Sequence, residues 1–131
     1  MRTPSLNVPT GVLSWFGLLG APLAWAAQFV VGYWLTEIGC SVGGDRGLPV
    51  DAWTVAVTAV AAALAVLAAV AAITMFRETR QVAGEGGSEE PPPKGRVHFL
   101  ATVGIVIAPL FLFIIVMSGV GVVVLEDCRQ G

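Results

Sequence analysis

The fold is decided by the stretch Ala52-Trp-Thr-Val-Ala-Val-Thr-Ala-Val-Ala-Ala-Ala-Leu-Ala-Val-Leu-Ala-Ala-Val-Ala-Ala-Ile-Thr-Met-Phe76, which contains no charged residue. A helix needs roughly 20 consecutive apolar residues to cross a bilayer. Two flanking stretches, Thr3 to Thr36 and Val97 to Leu125, also lack Asp, Glu, Lys and Arg. The sequence therefore predicts an all-α integral membrane protein, a three-transmembrane-helix bundle with helices over about 11–37, 52–76 and 97–125.

The composition supports this class. Hydrophobic residues make up 56% of the chain and charged residues 12%, whereas charged residues are about a quarter of an ordinary soluble domain. With 131 residues mostly committed to spans, we expect one membrane domain over 1–131. The net charge of -2 provides no basic footprint for nucleic acid. Lipid is the expected surrounding, and a soluble enzyme or nucleic-acid-binding protein is not expected.

The basic residues predict the orientation. Short loops rich in Lys and Arg stay in the cytoplasm. The segment 77–96 carries four basic residues, whereas the segment 37–51 and the tail after Leu125 carry one each: Arg77, Arg80, Lys94 and Arg96, against Arg46 and Arg129. We therefore predict a cytoplasmic N-terminus and a periplasmic C-terminus. The Gly-rich and Pro-rich composition of 77–96 indicates a solvated cytoplasmic linker.

A secretory signal peptide is the competing interpretation of the first span, because Ala24-Trp25-Ala26 resembles a small-x-small cleavage site. However, the apolar run continues to Leu35, which is longer than a signal core of roughly 7–15 residues. A transmembrane helix is the expected structure.

A stripe of small and polar residues runs along one face of the first predicted helix. Its members follow one another at steps of three or four: Ser14, Gly17, Ala21, Trp25, Gln28, Gly32 and Thr36. In lipid, small residues that permit close approach and polar groups that find partners define the packed face of a helix. We therefore predict that this face packs against protein and forms the contact with a partner.

Gln28 is the most polar member of this stripe. It could contact a ligand, but one neutral polar residue in a span is more often an interhelical hydrogen-bonding group. The stronger expectation of function within a membrane applies to ionisable residues, and none lies at membrane depth in the predicted spans. This argues against a proton-coupled transporter or pump and leaves a passive pore open.

The two cysteines follow the first and third spans, so the predicted topology brings Cys40 and Cys128 to the same outer surface. An oxidising exterior favours a disulfide between them. Free thiols and a Cu(I) site, which soft thiolates would suit, are the alternatives. We favour the disulfide, since no His or Met lies near either cysteine in the sequence.

Catalytic motifs are not found in the sequence. The one histidine, His98, lies beside Arg96 at the predicted cytoplasmic end of the third span, which suits an interfacial residue. A P-loop, a haem-attachment motif, a zincin motif and a nucleophile elbow are all missing from the sequence. We therefore expect no catalytic residue, no metal site and no cofactor.

Several short patterns together resemble a known family. They are Gly20-Ala-Pro-Leu-Ala-Trp25-Ala-Ala-Gln28, Gly32-Tyr33, Cys40, His98-Phe-Leu and Cys128. They resemble small bacterial multi-span membrane proteins encoded alongside haem-copper cytochrome c oxidase subunits. The resemblance covers the three spans and both cysteines, although this chain has Glu126-Asp127-Cys128 where an Asp-Pro-Cys ending is expected. It implies a partner complex in the bacterial cytoplasmic membrane and supplies no catalytic residue.

Two functions from different classes follow. The first is a non-catalytic accessory subunit, or an assembly and stability factor, of a bacterial respiratory terminal oxidase, which packs the Gln28 stripe against larger membrane subunits. The second is a self-associating small transport or pore-forming membrane protein. Small residues on all three helices suit both, because such surfaces pack against other helices.

Overall fold

The computed structural model describes residues 10–41, 50–86 and 92–125. They form three helices, α1 (Thr10–Ser41), α2 (Val50–Gly86) and α3 (Pro92–Val124). Each contains a window long and apolar enough to cross a membrane: Gly11–Cys40, Asp51–Arg80 and Arg96–Val124. The prediction of an all-helical chain with three such helices is confirmed.

The helices are longer than the predicted spans. At about 1.5 Å per residue, the 37 residues of α2 extend about 55 Å, beyond a hydrocarbon core of about 30 Å. The predicted linker 77–96 is therefore helical over 77–86 and again from Pro92, and 87–91 lie outside the described residues. Charges from Arg77 onward mark where an apolar span ends, but Arg, Glu, Gln and Ala all favour continuing a helix.

The buried positions on each helix follow a common spacing. Consecutive buried residues are mostly three or four positions apart on α1 and α2, and those on α3 fall on one similar stripe. On α1 they include Ser14, Gly17, Ala21, Ala24 and Gln28, on α2 Ala61, Ala65, Ala68, Ala72 and Met75, and on α3 Ala101, Gly104, Ala108, Ile115 and Gly119. This spacing is typical of helices packed at small crossing angles, as in most membrane bundles. All three pairs of helices contact one another.

We call the end of the bundle that contains Cys40 and Leu125 the Cys40 end, and the opposite end the His98 end. Towards the His98 end the three backbones approach closely. A Cβ atom placed on Gly104 would lie 2.9 Å from the carbonyl oxygen of Gly17 and 3.1 Å from the Cβ of Ala72. One on Gly17 would lie 3.2 Å from the backbone nitrogen of Ala72. The bundle is held here by backbone proximity and alanine contacts.

His98 joins α2 to α3 at its end of the bundle. Its Nδ1 lies 2.9 Å from the hydroxyl of Thr79, and its ring stacks on Phe76 at 4.9 Å between centroids. The Thr79 hydroxyl also contacts the carbonyl oxygen of Met75 at 2.8 Å, so the ring is held by a hydrogen bond at its edge and by stacking on its face. This fixes the orientation of the ring.

Candidate functional site: a polar cavity beside Gln28

Gln28 is the main polar link between the three helices. Its amide Nε2 donates to the hydroxyls of Thr58 on α2 and Ser118 on α3, each at 3.1 Å. The same nitrogen lies 3.3 Å from the carbonyl oxygen of Ile115. A carbonyl can only accept a hydrogen bond, and it therefore fixes which way the amide faces. The side chain is 8% exposed, so these bonds form away from solvent.

The amide oxygen of Gln28 is in a different situation. Oε1 is buried and has no hydrogen-bond partner among the described residues. Leaving a buried acceptor unpaired costs about 1–3 kcal/mol, whereas Nε2 has three acceptors for two hydrogens. The amide nitrogen therefore has more acceptors than hydrogens, whereas the amide oxygen has no donor among the described residues.

A cavity of about 320 Å³ lies beside Gln28 on the side of the Cys40 end. All three helices contribute polar groups to its lining: Gln28, Tyr33, Thr36, Thr54, Thr58 and Ser118. Trp25 and Phe29 form an aromatic wall with centroids 6.0 Å apart. Its volume and mixture of apolar walls with a few polar groups resemble those of small-molecule sites.

The cavity exists because α1 loses its buried contacts beyond Gln28. No residue from Phe29 to Cys40 is buried within the described part of the chain. The other two helices stay close at this level, since a Cβ atom on Gly119 would overlap the methyl group of Thr58. At this level α2 and α3 therefore stay in contact at Thr58 and Gly119, whereas α1 leaves the cavity beside them.

The seven residues of the predicted α1 stripe fall into two groups. Four are buried, namely Ser14, Gly17, Ala21 and Gln28. Beside them, Trp25 packs on Phe111 of α3 at 5.6 Å between ring centroids. Gly32 and Thr36 are partly exposed and line the cavity. The sequence predicted that the stripe packs against protein, and the buried four pack within the chain, because small residues let the helices of one chain approach each other closely; the contact with a partner stays a prediction.

Sequence reasoning identified Gln28 but missed what surrounds it. Neither Thr58 nor Ser118 was connected to it. Both are hydroxyl-bearing residues within apolar spans, where polar side chains usually seek an interhelical partner. That signal could have joined them to Gln28.

The predicted cysteine pair is only half within the described residues. Cys40 lies in the last turn of α1 and is not a free thiol, whereas Cys128 lies outside the described residues. The Cys40–Cys128 disulfide therefore stays a prediction. Among the described residues, no group of three or more His, Cys, Asp or Glu side chains could hold a metal ion.

These features define an all-helical protein of three membrane-spanning-capable helices with a mainly apolar cavity beside Gln28. In comparisons with protein-family models, curated proteins and solved structures, no match to this chain was found. The resemblance to small oxidase-associated membrane proteins therefore stays an expectation.

Proposed function

We propose that this chain is a multi-pass protein of the bacterial cytoplasmic membrane that acts as a non-catalytic accessory subunit, or assembly and stability factor, of a respiratory terminal oxidase. Its N-terminus is cytoplasmic and its C-terminus periplasmic, and a Cys40–Cys128 disulfide clamps the periplasmic ends of the helices. The choice of a haem-copper oxidase as the partner rests on the resemblance carried by Gly20 to Gln28, Gly32-Tyr33 and the cysteines.

The observation that carries the proposal is the amount of small-residue surface left exposed after the three helices have packed. A Cβ atom on Gly32 would meet nothing within 4 Å. A row of exposed alanines also runs along α2: Ala52, Ala56, Ala59 and Ala63. Glycine and alanine add little to membrane insertion compared with Leu, Ile or Phe, but they allow another helix to approach closely. Such surfaces favour a protein neighbour over lipid.

The same packing disfavours a pore through a single bundle. Ala21, Ala65, Ala68 and Ile115 are almost fully buried between the helices, so the His98 side of the cavity is closed by packed side chains. A pore would therefore need several copies of the chain. This keeps the self-associating alternative as an outcome of the test.

Purification of the tagged protein from its native membrane in mild detergent tests the proposal. We expect co-purifying oxidase chains and a haem absorption spectrum. A colourless homo-oligomer would instead support the transport or pore-forming alternative, and a colourless monomer would contradict both. The Leu23→Ala variant serves as a control, because Leu23 is 63% exposed and its substitution should leave the partner bound.

A further inference from the structure

We propose that the cavity beside Gln28 binds a neutral, membrane-soluble aromatic molecule with a hydroxyl group, of the phenol class, and that Gln28 Oε1 accepts the hydrogen bond from that hydroxyl. This goes beyond the accessory role and needs from it only the placement of the helices in a membrane.

The unpaired atom determines which chemical group binds. Oε1 is an amide oxygen and can only accept a hydrogen bond, so the ligand must donate one. The terminal torsion of a glutamine side chain is soft, and Nε2 has one more acceptor than it has hydrogens. Gln28 lines the cavity, so a turn of the planar amide that gives up the longest of the three Nε2 contacts, the 3.3 Å approach to the Ile115 carbonyl, would bring Oε1 to a donor bound there.

The depth of the site determines the ligand's charge and solubility. Gln28 lies close to the middle of the spanning window Gly11–Cys40, out of reach of lipid headgroups. The described cavity lining contains no Asp, Glu, Lys, Arg or His that could balance a charge in this apolar setting. A neutral donor such as a hydroxyl group satisfies both conditions.

The walls favour an aromatic ring. Trp25 and Phe29 line one side and are tilted by 30° to each other, and Tyr33 lies one turn further along the same face. Aromatic rings in offset or tilted contact gain beyond their simple burial. The bare surface of Gly32 between these side chains leaves room for a ring beside them.

A matched pair of probes tests the site on the purified chain in lipid nanodiscs. 4-Octylphenol and its methyl ether differ only in the hydrogen-bond donor, and binding of each is measured by equilibrium dialysis against protein-free nanodiscs. We expect the wild type to bind the phenol about three- to tenfold more tightly than the ether, as one neutral hydrogen bond implies. Equal binding of the two, or no binding above the nanodisc background, would overturn the proposal.

Two variants assign the effect to the cavity. Gln28→Met removes the acceptor but keeps side-chain length, and should abolish the preference for the phenol. Gly32→Phe fills the cavity from a position with free space and should abolish binding of both probes, which keeps the test decisive if Gln28→Met does not fold. Leu23→Ala, on the exposed face of α1, should bind like the wild type. A phenol preference that survived both cavity variants would contradict the assignment. Since no oxidase is present, failure here is distinct from failure to co-purify a partner.

Discussion

Gln28 and Ser118, which lie 90 positions apart in the chain, are joined by a 3.1 Å hydrogen bond from the amide nitrogen to the hydroxyl oxygen. The bond connects the middle of α1 to the part of α3 next to the cavity. Because it joins residues of different helices so far apart in the chain, it reports directly on assembly of the bundle.

The energy of this bond can be measured by a double-mutant cycle. Gln28→Leu and Ser118→Ala should each destabilise the bundle, with a coupling energy of about 0.6 kcal/mol and an upper bound near 1.7 kcal/mol, as found for interhelical hydrogen bonds in membranes. The measurement is unfolding in mixed micelles of dodecyl sulfate and a mild detergent. Additive effects of the two substitutions would show that the pair does not interact.

The contact between Gly17 and Gly104 predicts a sharp size limit. Gly104→Ala would place a methyl group 2.9 Å from the Gly17 carbonyl oxygen, and such overpacking costs about 1–3 kcal/mol. Gly121→Ala is the matched control, because nothing lies within 4 Å of its Cβ position. The same mixed-micelle unfolding compares the two. Equal stability of both variants would contradict the close approach of α1 and α3.

The α1 stripe is divided into buried residues and partly exposed residues, and we expect substitutions in the two groups to have different effects. Gly17→Leu should destabilise the isolated chain, because the backbone of Ala72 lies against it. Gly32→Leu should leave the isolated chain as stable as the wild type and reduce the amount of co-purified partner. Unfolding and co-purification are measured side by side. Normal partner recovery with Gly32→Leu would remove this half of the stripe from the interface.

The orientation predicts where a membrane-impermeant thiol reagent can react. In a background without Cys40 and Cys128, a Ser88→Cys variant should be protected in intact cells and labelled after lysis, because the segment 77–96 carries four basic residues. A Gly43→Cys variant should be labelled in intact cells. The reverse pattern would invert the topology and with it the redox argument for a disulfide.

The cysteine pair predicts a mass signature. Cys40 and Cys128 should resist alkylation until a reductant is added. The disulfide would close a loop of 87 intervening residues and would stabilise the fold by about 4–5 kcal/mol in the chain-entropy model. Mass spectrometry with and without reduction makes the measurement. Alkylation of both thiols without reductant would exclude the disulfide and move attention to copper binding.

The sequence predicted the membrane-spanning segments, because their apolar composition is a direct response to surrounding lipid. Charge-free runs such as Ala52 to Phe76 must be helical in a bilayer, since every backbone group needs a partner there. The end of α2 could not be predicted from charge, because Arg77 to Ala83 leaves the apolar run but still favours a helix. Apolar length and helix length are separate properties.

The site was predicted only at its centre. The spacing of Gln28 on a small-residue face indicated that it would meet other helices, but not which residues. Its pairing with Ser118 depends on the rotation of α3 about its own axis, which tertiary packing sets. Ile115, the largest fully buried side chain in the described residues, lies three residues before Ser118, so its packing helps to fix that rotation.

The loss of buried contacts along α1 beyond Gln28 makes the two ends of the bundle different. Alanine and glycine contacts keep the three helices close towards the His98 end, whereas a cavity leaves space between them towards the Cys40 end. A tapered inclusion takes up unequal lateral area in the two leaflets, and the surrounding lipids must tilt or differ in shape to fill the difference. The protein should therefore concentrate where membrane curvature or a neighbour of opposite taper relieves that mismatch.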